Sequence, residues 1–451
     1  MADIFGASIN NKYSGDASGF VYTGLLSMQH RGQEGAGIAA ISGNTIVCHK
    51  NHGLVSEVFS VNLLKNLESR YAVGHCLYSS NGNNTGENIQ PVFTEYLTGR
   101  LATVHDGNLI NTKELKDELM TYGIAFTGTS DSEVISKLIA YHCTKEKNVA
   151  AGVKIAAELL KGAFSLIVLS TESNKLIAVR DSSGFRPLCI GKNESGIAVA
   201  SESCALDTCG FDFVRDVKPG EVIVIENGKI TYEEVVLTPK IKNTGSCIFE
   251  YVYFARPDSY IDNLNVYEAR VNLGRILAKE NPVEADLVCG VPDSALEAAI
   301  GYSQESGIPL APGLVRNRYL GRSFIYPTQA QRENIVKLKF NALKTNIEGK
   351  RIILVDDSIV RGTSTKIIVS MLKKAGAKEV HMRISSPPVK YACHYGIDTK
   401  SEDDLIANKM SISEICEEIN ADSLGYISIN GLKEACEGCS LALCAHCFEK
   451  V

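Results

Sequence analysis

The sequence predicts a layered α+β domain followed by a parallel α/β domain, and three observations lead to this prediction. First, 451 residues exceed what one typical hydrophobic core supports, so two domains are expected. Second, the first half alternates short β-rich runs with turns, whereas from about Ala285 the order becomes strand, loop and helix. Third, a polar connector from Thr238 to Ser246 separates these patterns. We therefore place the domains at residues 1–238 and 246–451.

The first half combines short runs of strand composition with only two long helical patterns. The predicted strands are Thr45 to His49, Arg70 to Val73, Arg100 to His105, Ser165 to Ser170, Leu176 to Arg180, Gly196 to Ala200 and Glu221 to Glu226. The predicted helices are Ser132 to Lys145 and Val149 to Leu160. Strands joined as hairpins and covered by a few helices indicate sheets arranged in layers.

The second half repeats a unit of strand, loop and helix. Residues Leu287 to Ile300 have this order, Arg351 to Gly376 repeat it, and Glu379 to Ser385 form a further strand. Within the middle unit, the apolar run Ile352 to Val355 has the composition of a parallel strand buried on both faces. This alternation predicts a doubly wound sheet.

Two carboxylates follow the middle strand directly. Asp356 and Asp357 would lie at the edge where open α/β sheets bind their ligands. The turn Ser358 to Ser364 adds hydroxyl groups and a glycine ahead of a helical pattern, so backbone amides at the helix start can face a phosphate. The competing interpretation is an ordinary strand-turn-helix with two solvated acids. The whole segment favours a site for a sugar phosphate, with the carboxylates on ribose hydroxyls or Mg2+.

Composition excludes several classes of protein. Apolar residues make up 45% and charged residues 22% of the chain, which is typical of a globular protein. A net charge of -6 without a Lys/Arg block argues against nucleic-acid binding. No apolar run is long enough to cross a membrane, and the N-terminal residues lack the pattern of a secretion signal. We therefore expect a cytoplasmic protein.

Fourteen cysteines are many for a reducing compartment, where clustered cysteines more often ligate metals than form disulfides. Most are expected to be buried as small hydrophobic residues. This prediction covers Cys48, Cys76, Cys189, Cys204, Cys209 and Cys289. The C-terminal group differs because it contains two Cys-x-x-Cys pairs, Cys436 with Cys439 and Cys444 with Cys447.

Several long strings of the sequence resemble one family. They are Arg351 to Ser364, Gly290 to Ser294, Tyr253 to Ser259, His30 to Gly37, Arg316 to Phe324, Ser385 to Pro388 and Tyr395 to Asp398. Over nearly its whole length the chain resembles glutamine phosphoribosyl-diphosphate (PRPP) amidotransferase, also called amidophosphoribosyltransferase. The resemblance implies an N-terminal-nucleophile-type domain followed by an α/β type I phosphoribosyltransferase domain. It further implies a homo-oligomer that makes 5-phosphoribosylamine and pyrophosphate from PRPP, the first step of de novo purine biosynthesis.

The glutaminase site of this family is incomplete in the sequence. The family's Cys-Gly-x-Phe-Gly start has Ala2 where the nucleophilic cysteine stands. The arginine that grips the substrate carboxylate is replaced by Leu77, and the asparagine of the oxyanion segment by Asp106. Asp131 matches a glutamine-binding acid, although capping of a helix that begins at Ser132 explains it equally well. The resemblance thus predicts a glutaminase fold without glutaminase chemistry, and external ammonia as the amine donor.

The phosphoribosyltransferase site matches the motifs of the family. By resemblance, Asp356 and Asp357 are catalytic and hold the ribose hydroxyls and, together with Ser294, Mg2+. The substrate-binding residues implied in the same way are Asp293 in the pyrophosphate loop, Ser358, Ile359, Val360, Arg361, Gly362 and Thr363 around the 5-phosphate, and Arg322, Lys337 and Lys339 in the basic stretch from Arg318 to Lys339. The alternative, less favoured interpretation of that stretch is a solvated surface loop.

Four cysteines match the ligands of those family members that carry an iron-sulfur cluster: Cys247, Cys393, Cys444 and Cys447. Four thiolates suit a [4Fe-4S] cluster, although a structural Zn2+ needs the same four. Cys436 and Cys439 could replace Cys444 and Cys447, and the sequence leaves this open.

Two other functions remain compatible with the sequence. One is a non-catalytic paralogue that binds PRPP or purine nucleotides and regulates an active homologue. The other is a phosphoribosyltransferase with a different acceptor. The intact acidic pair and the basic stretch favour the ammonia-dependent enzyme, because a pure interaction protein has little need of a metal site. Whether purine nucleotides inhibit the protein stays open.

Overall fold

The computed structural model describes residues 2–13, 15–78, 86–239, 245–319, 338–397, 399 and 401–450. Its first half contains two antiparallel sheets, with strand orders β11-β9-β10-β1-β4-β2-β3 and β13-β12-β8-β7-β6-β5. These strands are β1 (Ala2–Ile9), β2 (Gly35–Ser42), β3 (Thr45–His52), β4 (Tyr71–Leu77), β5 (Val92–Tyr96), β6 (Gly99–Leu109), β7 (Gly162–Ser170), β8 (Lys175–Arg180), β9 (Cys189–Lys192), β10 (Gly196–Ala200), β11 (Asp212–Asp216), β12 (Glu221–Glu226) and β13 (Lys229–Val235). The helices of this half are α1 (Ala17–Ser27), α2 (Val55–Val58), α3 (Val61–Asn66), α4 (Thr112–Thr121), α5 (Asp131–Glu146), α6 (Val149–Leu159) and α7 (Ser203–Thr208).

The two sheets pack face to face between two layers of helices. Successive strand residues point to opposite faces, so β1 directs Phe5 toward α1 and Ile4 toward the second sheet. On the far side of the second sheet, Leu166 of β7 packs with Ile135 of α5. Because β1 is covered on both faces, its residues are buried throughout and lack the alternating hydrophobicity of a half-exposed strand.

The second half is built around a parallel sheet of order β17-β20-β21-β22. Its strands are β17 (Leu287–Gly290), β20 (Arg351–Asp356), β21 (Glu379–Ile384) and β22 (Ser423–Tyr426). Three short pairs accompany it: β14 (Ser246–Cys247) with β23 (Leu443–Cys444), β15 (Tyr260–Ile261) with β16 (Leu264–Asn265), and β18 (Leu314–Arg316) with β19 (Phe340–Ala342). The helices are α8 (Val266–Glu280), α9 (Leu296–Ser306), α10 (Lys344–Ile347), α11 (Thr363–Lys374), α12 (Ile406–Lys409), α13 (Ile412–Glu418) and α14 (Ile429–Ala435), with a π-helix at Glu250–Phe254 and short 3-10 helices at Gly86–Asn88 and Glu402–Asp404.

The structure corrects two expectations for single residues. Cys48 was expected in the core, but it is exposed, because β3 is the edge strand of its sheet. Asp131 does not cap its helix. Helix α5 begins at Asp131 itself, and the side chain of Ser130 is the cap, accepting a hydrogen bond from the N–H of Glu133. The capping explanation of Asp131 is therefore wrong.

Buried ion pairs join the first half to the second. Arg180 on β8 forms a two-pronged pair with Asp262, with N–O distances of 2.7 and 2.9 Å. Arg31 forms a second such pair with Glu250 of the π-helix, at 2.8 Å for both contacts. The predicted domain boundary stays a prediction, since residues 240–244 lie outside the described ranges. Among the described residues, no helix has the length and apolar character needed to cross a membrane.

Candidate functional site

The acidic pair lies at the carboxyl edge of the parallel sheet. Asp356 is the last residue of β20, and Asp357 follows it; their exposed fractions are 9% and 7%. Ser294, from the loop after β17, donates its hydroxyl to Oδ2 of Asp357 at 2.5 Å, and Ser358 donates to Oδ1 at 2.6 Å. Because β17 and β20 are parallel neighbours, two motifs more than 60 residues apart meet at this edge.

The positive groups near Asp356 and Asp357 do not balance the negative charge that the two buried carboxylates would carry together. Burial raises the pKa of Asp356 well above its usual value, and repulsion from Asp357 raises it further, while Lys339 lowers it only in part. Burial also raises the pKa of Asp357, against hydrogen bonds from Ser294 and Ser358 and the charge of Arg270. A divalent cation would relieve this repulsion, and paired carboxylate oxygens suit Mg2+. The residues present therefore fit the expected metal.

The turn after the acidic pair presents its backbone rather than its apolar side chains. The side chain of Ile359 is buried in the core of the second half, and Val360 packs against that core. Gly362 has a φ of 76°, and a Cβ there would come 2.8 Å from Ile406 Cδ1, so glycine is required. Helix α11 begins at the next residue, Thr363, which brings the positive end of its dipole to the edge that carries Asp356.

The charged residues predicted around the substrate are only partly described. Arg361 pairs with Asp404 at 3.0 Å, on an exposed surface. Asp293 forms an ion pair with Arg316, which lies two residues before the basic stretch. Lys339 stands next to β19, with its Nζ 5.3 Å from the centre of the Phe340 ring. Arg322 and Lys337 lie outside the described residues.

The three positions that depart from the family's glutaminase motifs come together in the first half. Ala2 and Leu77 are directly opposite in the β1–β4 ladder, and both are buried. The N–H of Ala2 donates to Asp106 Oδ1 at 2.9 Å, across the space between the two sheets. Asp131 lies nearby: its Oδ1 is 3.7 Å from Nδ1 of His105, the residue that precedes Asp106.

The pKa of Asp106 is lowered although its carboxyl is fully buried. Burial raises the pKa of this carboxyl, but the guanidinium groups of Arg186 and Arg31 outweigh burial and lower it below its usual value. Nη2 of Arg31 lies 3.6 Å from Asp106 Oδ2. The two guanidinium groups therefore favour the charged form of the carboxyl at position 106.

Sequence reasoning missed the buried charges that surround Ala2. Arg31 donates to the C=O of Ala2 and to Glu202, and it forms the two-pronged pair with Glu250. Arg186 contacts the same Glu250 at 3.3 Å. The string that begins at His30 was recognised only as a motif. The partners of Arg31 in this string, Glu202 and Glu250, lie 171 and 219 residues further along the chain, so no local sequence pattern indicates them.

The four matched cysteines gather at the junction of the two halves. Cys247 and Cys444 are paired residues of the β14–β23 ladder. The C=O of Cys447 accepts hydrogen bonds from the N–H groups of Lys390 and Tyr391, close before Cys393. Burial raises the pKa of Cys447, and the thiols of Cys247, Cys393 and Cys444 raise it further. Within the described ranges, no three His, Cys, Asp or Glu side chains stand in a metal-holding arrangement.

The second Cys-x-x-Cys pair lies elsewhere. Cys436 follows α14 and is joined to Cys439 by a backbone hydrogen bond of 3.0 Å. Tyr251 donates its hydroxyl to Cys439 Sγ at 3.4 Å, and Gly438, between the two cysteines, packs beside Leu264. This arrangement favours Cys444 and Cys447 over Cys436 and Cys439 as partners of Cys247.

Similarity to known proteins extends over the whole chain. A family model described as a glutamine amidotransferase domain matches residues 80–208. The amidophosphoribosyltransferase of Methanocaldococcus jannaschii is 47% identical over 427 residues, which cover 92% of this chain and 90% of that protein. The amidophosphoribosyltransferase of Bacillus subtilis is 46% identical over 420 residues, which cover 92% and 86%.

Solved structures share the same fold. The allosteric regulatory enzyme of purine biosynthesis is 42% identical, with a TM-score of 0.89 over 100% of this chain and 95% of that one. Glutamine PRPP amidotransferase from B. subtilis, complexed with ADP and GMP, is 41% identical, with a TM-score of 0.88 over 100% and 97%. The predicted N-terminal-nucleophile-type domain followed by a phosphoribosyltransferase domain is confirmed. The chain belongs to the amidophosphoribosyltransferase family.

Proposed function

We propose that this protein forms 5-phosphoribosylamine and pyrophosphate from PRPP, as the first step of purine biosynthesis, with ammonia rather than glutamine as the amine donor. The observation that carries the proposal is the contact between Ser294 and Asp357, which unites the pyrophosphate loop with the acidic pair at one sheet edge. Family membership supports the reaction class. The local chemistry around Ala2 supports the choice of donor.

In the proposed reaction, ammonia attacks C1 of the ribose while the bond from C1 to pyrophosphate breaks and the nitrogen loses one proton. Asp356 and Asp357 would hold the ribose hydroxyls and Mg2+, with Ser294 beside them. Mg2+ supplies neutralisation of the charge that develops on the leaving pyrophosphate. The backbone of residues 358–363 and the start of α11 would hold the 5-phosphate, because the positive end of the helix dipole favours anions. Arg322, Lys337 and Lys339 are proposed to neutralise the diphosphate.

Ammonia is preferred because glutamine hydrolysis needs three groups that this chain replaces. Ala2 offers no nucleophilic atom. Leu77 cannot bind a carboxylate, and an ionised Asp106 opposes an oxyanion, where loss of one donor alone costs on the order of 3 to 4 kcal/mol. Asp131 remains in place, but it can supply only one contact to a substrate amine.

We further propose that Cys247, Cys393, Cys444 and Cys447 bind a [4Fe-4S] cluster. The gathering of four thiols at one junction supports this assignment, and Zn2+ is the alternative metal for the same ligands. The cluster would tie the C-terminal residues to β14. We also propose purine nucleotides as ligands, since the B. subtilis neighbour was solved with ADP and GMP.

The test measures pyrophosphate release from PRPP and Mg2+ with either ammonia or glutamine. We expect turnover with ammonia and none with glutamine. Asp356→Asn should reduce kcat/KM with ammonia on the order of 100-fold. This is the size of the effect when an enzyme loses one group that stabilises charge in the transition state. Asp403→Asn, at an exposed position, should leave it unchanged. If the wild type binds PRPP but never turns it over at high ammonia, the regulatory paralogue replaces this proposal.

A further inference from the structure

The turn that follows the acidic pair is in contact with a later segment of the chain. We call residues 360–362 the turn, and residues 404–409, the end of a short 3-10 helix followed by α12, the brace. The N–H of Ile406 donates to the C=O of Val360 at 2.9 Å. A Cβ on Gly362 would lie 2.8 Å from Ile406 Cδ1, so the side chain of Ile406 packs directly against the turn. One residue of the brace therefore contacts the turn through both its backbone and its side chain.

The middle residue of the turn is also held by the brace. Nη2 of Arg361 lies 3.0 Å from Oδ2 of Asp404, and both side chains are half-exposed. Because an exposed ion pair adds little to the stability of a fold, the main effect of this pair is to fix the direction of the Arg361 side chain. Three consecutive residues of the turn thus each have a partner between residues 404 and 406.

The brace is itself anchored in the second half. Leu405, which lies between the two contacting residues, is fully buried in the core of this half. The side chain of Asn408 donates to the C=O of Lys390 at 3.0 Å, and the N–H of Lys390 donates to the C=O of Cys447 at 2.9 Å. A segment anchored in this way can hold the turn in one conformation before any ligand binds.

We propose that Asp404 and Ile406 are positioning residues for the 5-phosphate of PRPP, and that they act by fixing the backbone of the turn. The inference rests on the proposed function, which assigns the 5-phosphate to residues 358–363 and the start of α11. Backbone N–H groups bind a phosphate most strongly when they already point at it, because ordering a loop during binding reduces the net binding free energy. Gly362 has a φ of 76° and directly precedes α11, so a displaced turn would also displace the first N–H groups of that helix.

The test compares two variants of Ile406, the first residue of α12. Ile406→Pro removes both the N–H bond to Val360 and the packing against Gly362, whereas Ile406→Ala keeps the N–H. Proline is tolerated at the first position of a helix, and Leu405 has the extended backbone, with a ψ of 117°, that a residue before proline prefers. The measurement is the dissociation constant of ribose 5-phosphate, which carries the 5-phosphate without the pyrophosphate. It should rise roughly tenfold in Ile406→Pro, because a hydrogen bond is lost and a carbonyl is left without its partner, and rise less in Ile406→Ala.

Ile412→Pro is the matched control. Ile412 is also the first residue of a helix, α13, it follows an extended residue, and it is exposed, so this variant should bind ribose 5-phosphate like the wild type. In Ile406→Pro the KM for PRPP with ammonia should rise by the same factor as the dissociation constant, while kcat and the inhibition constant of pyrophosphate stay unchanged. Unchanged binding of ribose 5-phosphate in Ile406→Pro, or equal weakening of ribose 5-phosphate and pyrophosphate, would overturn the inference.

The ion pair is tested by exchanging its two charges. Arg361→Asp places two carboxylates side by side and should weaken the binding of ribose 5-phosphate. Adding Asp404→Arg restores a pair of opposite charges and should recover most of this loss, because the pair acts through the position of the turn. No recovery would mean that the Arg361 guanidinium itself binds the phosphate, and would overturn the role of Asp404. If the wild type binds neither ribose 5-phosphate nor PRPP, the proposed function itself fails; a wild type that binds both, with variants that bind equally well, refutes only this inference.

Discussion

At the scale of single residues, the proposed loss of glutaminase chemistry depends on Asp106. Its carboxylate accepts the N–H of Ala2, and Arg186 and Arg31 lower its pKa although it is buried. Ala2→Cys alone should therefore release no glutamate from glutamine. The triple variant Ala2→Cys, Leu77→Arg, Asp106→Asn should regain measurable hydrolysis of glutamine. Residues that act as a unit restore little activity when only one of them is restored.

Glutamate release is the measurement for these variants. The matched control carries Ala2→Ser with the same two other changes, so it has the clamp and the oxyanion donor without a thiol, and it should stay inactive. Hydrolysis of glutamine by the unmodified protein, retained after further purification, would contradict the loss of glutaminase chemistry.

Asp3 provides a residue-scale test by pH. Its Oδ1 accepts the N–H of Cys76, its Oδ2 has no hydrogen-bond partner among the described residues, and burial raises its pKa well above 3.8. Above pH 3.8 the Asp3 carboxyl loses its proton in the unfolded chain but keeps it in the folded chain. The free energy of unfolding of the wild type therefore falls as the pH rises toward the folded pKa. Asp3→Asn keeps a neutral acceptor and should be more stable at pH 7, with the difference vanishing near pH 3.

Denaturant midpoints of Asp3→Asn and the wild type, compared from pH 3 to 8, check this expectation. Asp403→Asn, at an exposed position, should show no such pH-dependent gain. A loss of stability in Asp3→Asn at neutral pH would mean that the folded protein needs the ionised carboxylate.

At the scale of elements, strand β8 is fixed to the turn between β15 and β16 by the pair of Arg180 and Asp262. Both side chains are buried. Arg180→Met leaves Asp262 without its partner and should lower the free energy of unfolding by roughly 3 to 5 kcal/mol. The double variant Arg180→Met, Asp262→Asn should recover part of this loss, but not all, because Arg180 also donates to the carbonyl groups of Val217 and Gly184.

Chemical denaturation is the measurement for these variants. Arg100→Met breaks an exposed pair with Glu95 and should cost about 1 kcal/mol or less. If Arg180→Met unfolds at the same denaturant concentration as Arg100→Met, the buried pair does not hold the two elements together.

At the scale of the whole molecule, the junction between the two halves is where the proposed metal centre lies. Protein purified without oxygen should be brown and contain about four iron atoms per chain, as a [4Fe-4S] centre requires. Cys393→Ala should lose the iron, whereas Cys436→Ala should retain it, because Cys436 is joined by a backbone hydrogen bond to Cys439, whose Sγ accepts from the Tyr251 hydroxyl. Stoichiometric zinc without iron would reject the cluster and keep the ligand set.

Local patterns predicted much of the fold. The strands Gly196–Ala200 and Glu221–Glu226 have the predicted bounds, and β20 ends in the acidic pair as expected. Strand β4 was predicted too short because its last residues, Gly74 to Leu77, are varied in polarity, and burial between two layers removes the alternation that marks a strand. The same burial explains why β1 escaped prediction.

The sequence by itself determined the family, the order of the two folds, and which residue types stand at the proposed substrate and cysteine positions, because these depend on short strings and on local periodicity. Only the tertiary structure decided that Asp106 accepts the N–H of Ala2, that Arg31 spans both halves, and that Arg186 contacts both Glu250 and the segment of Tyr395. These contacts join residues far apart in the chain. Their formation depends on strand register and on how two independently patterned halves pack, which no window of sequence contains.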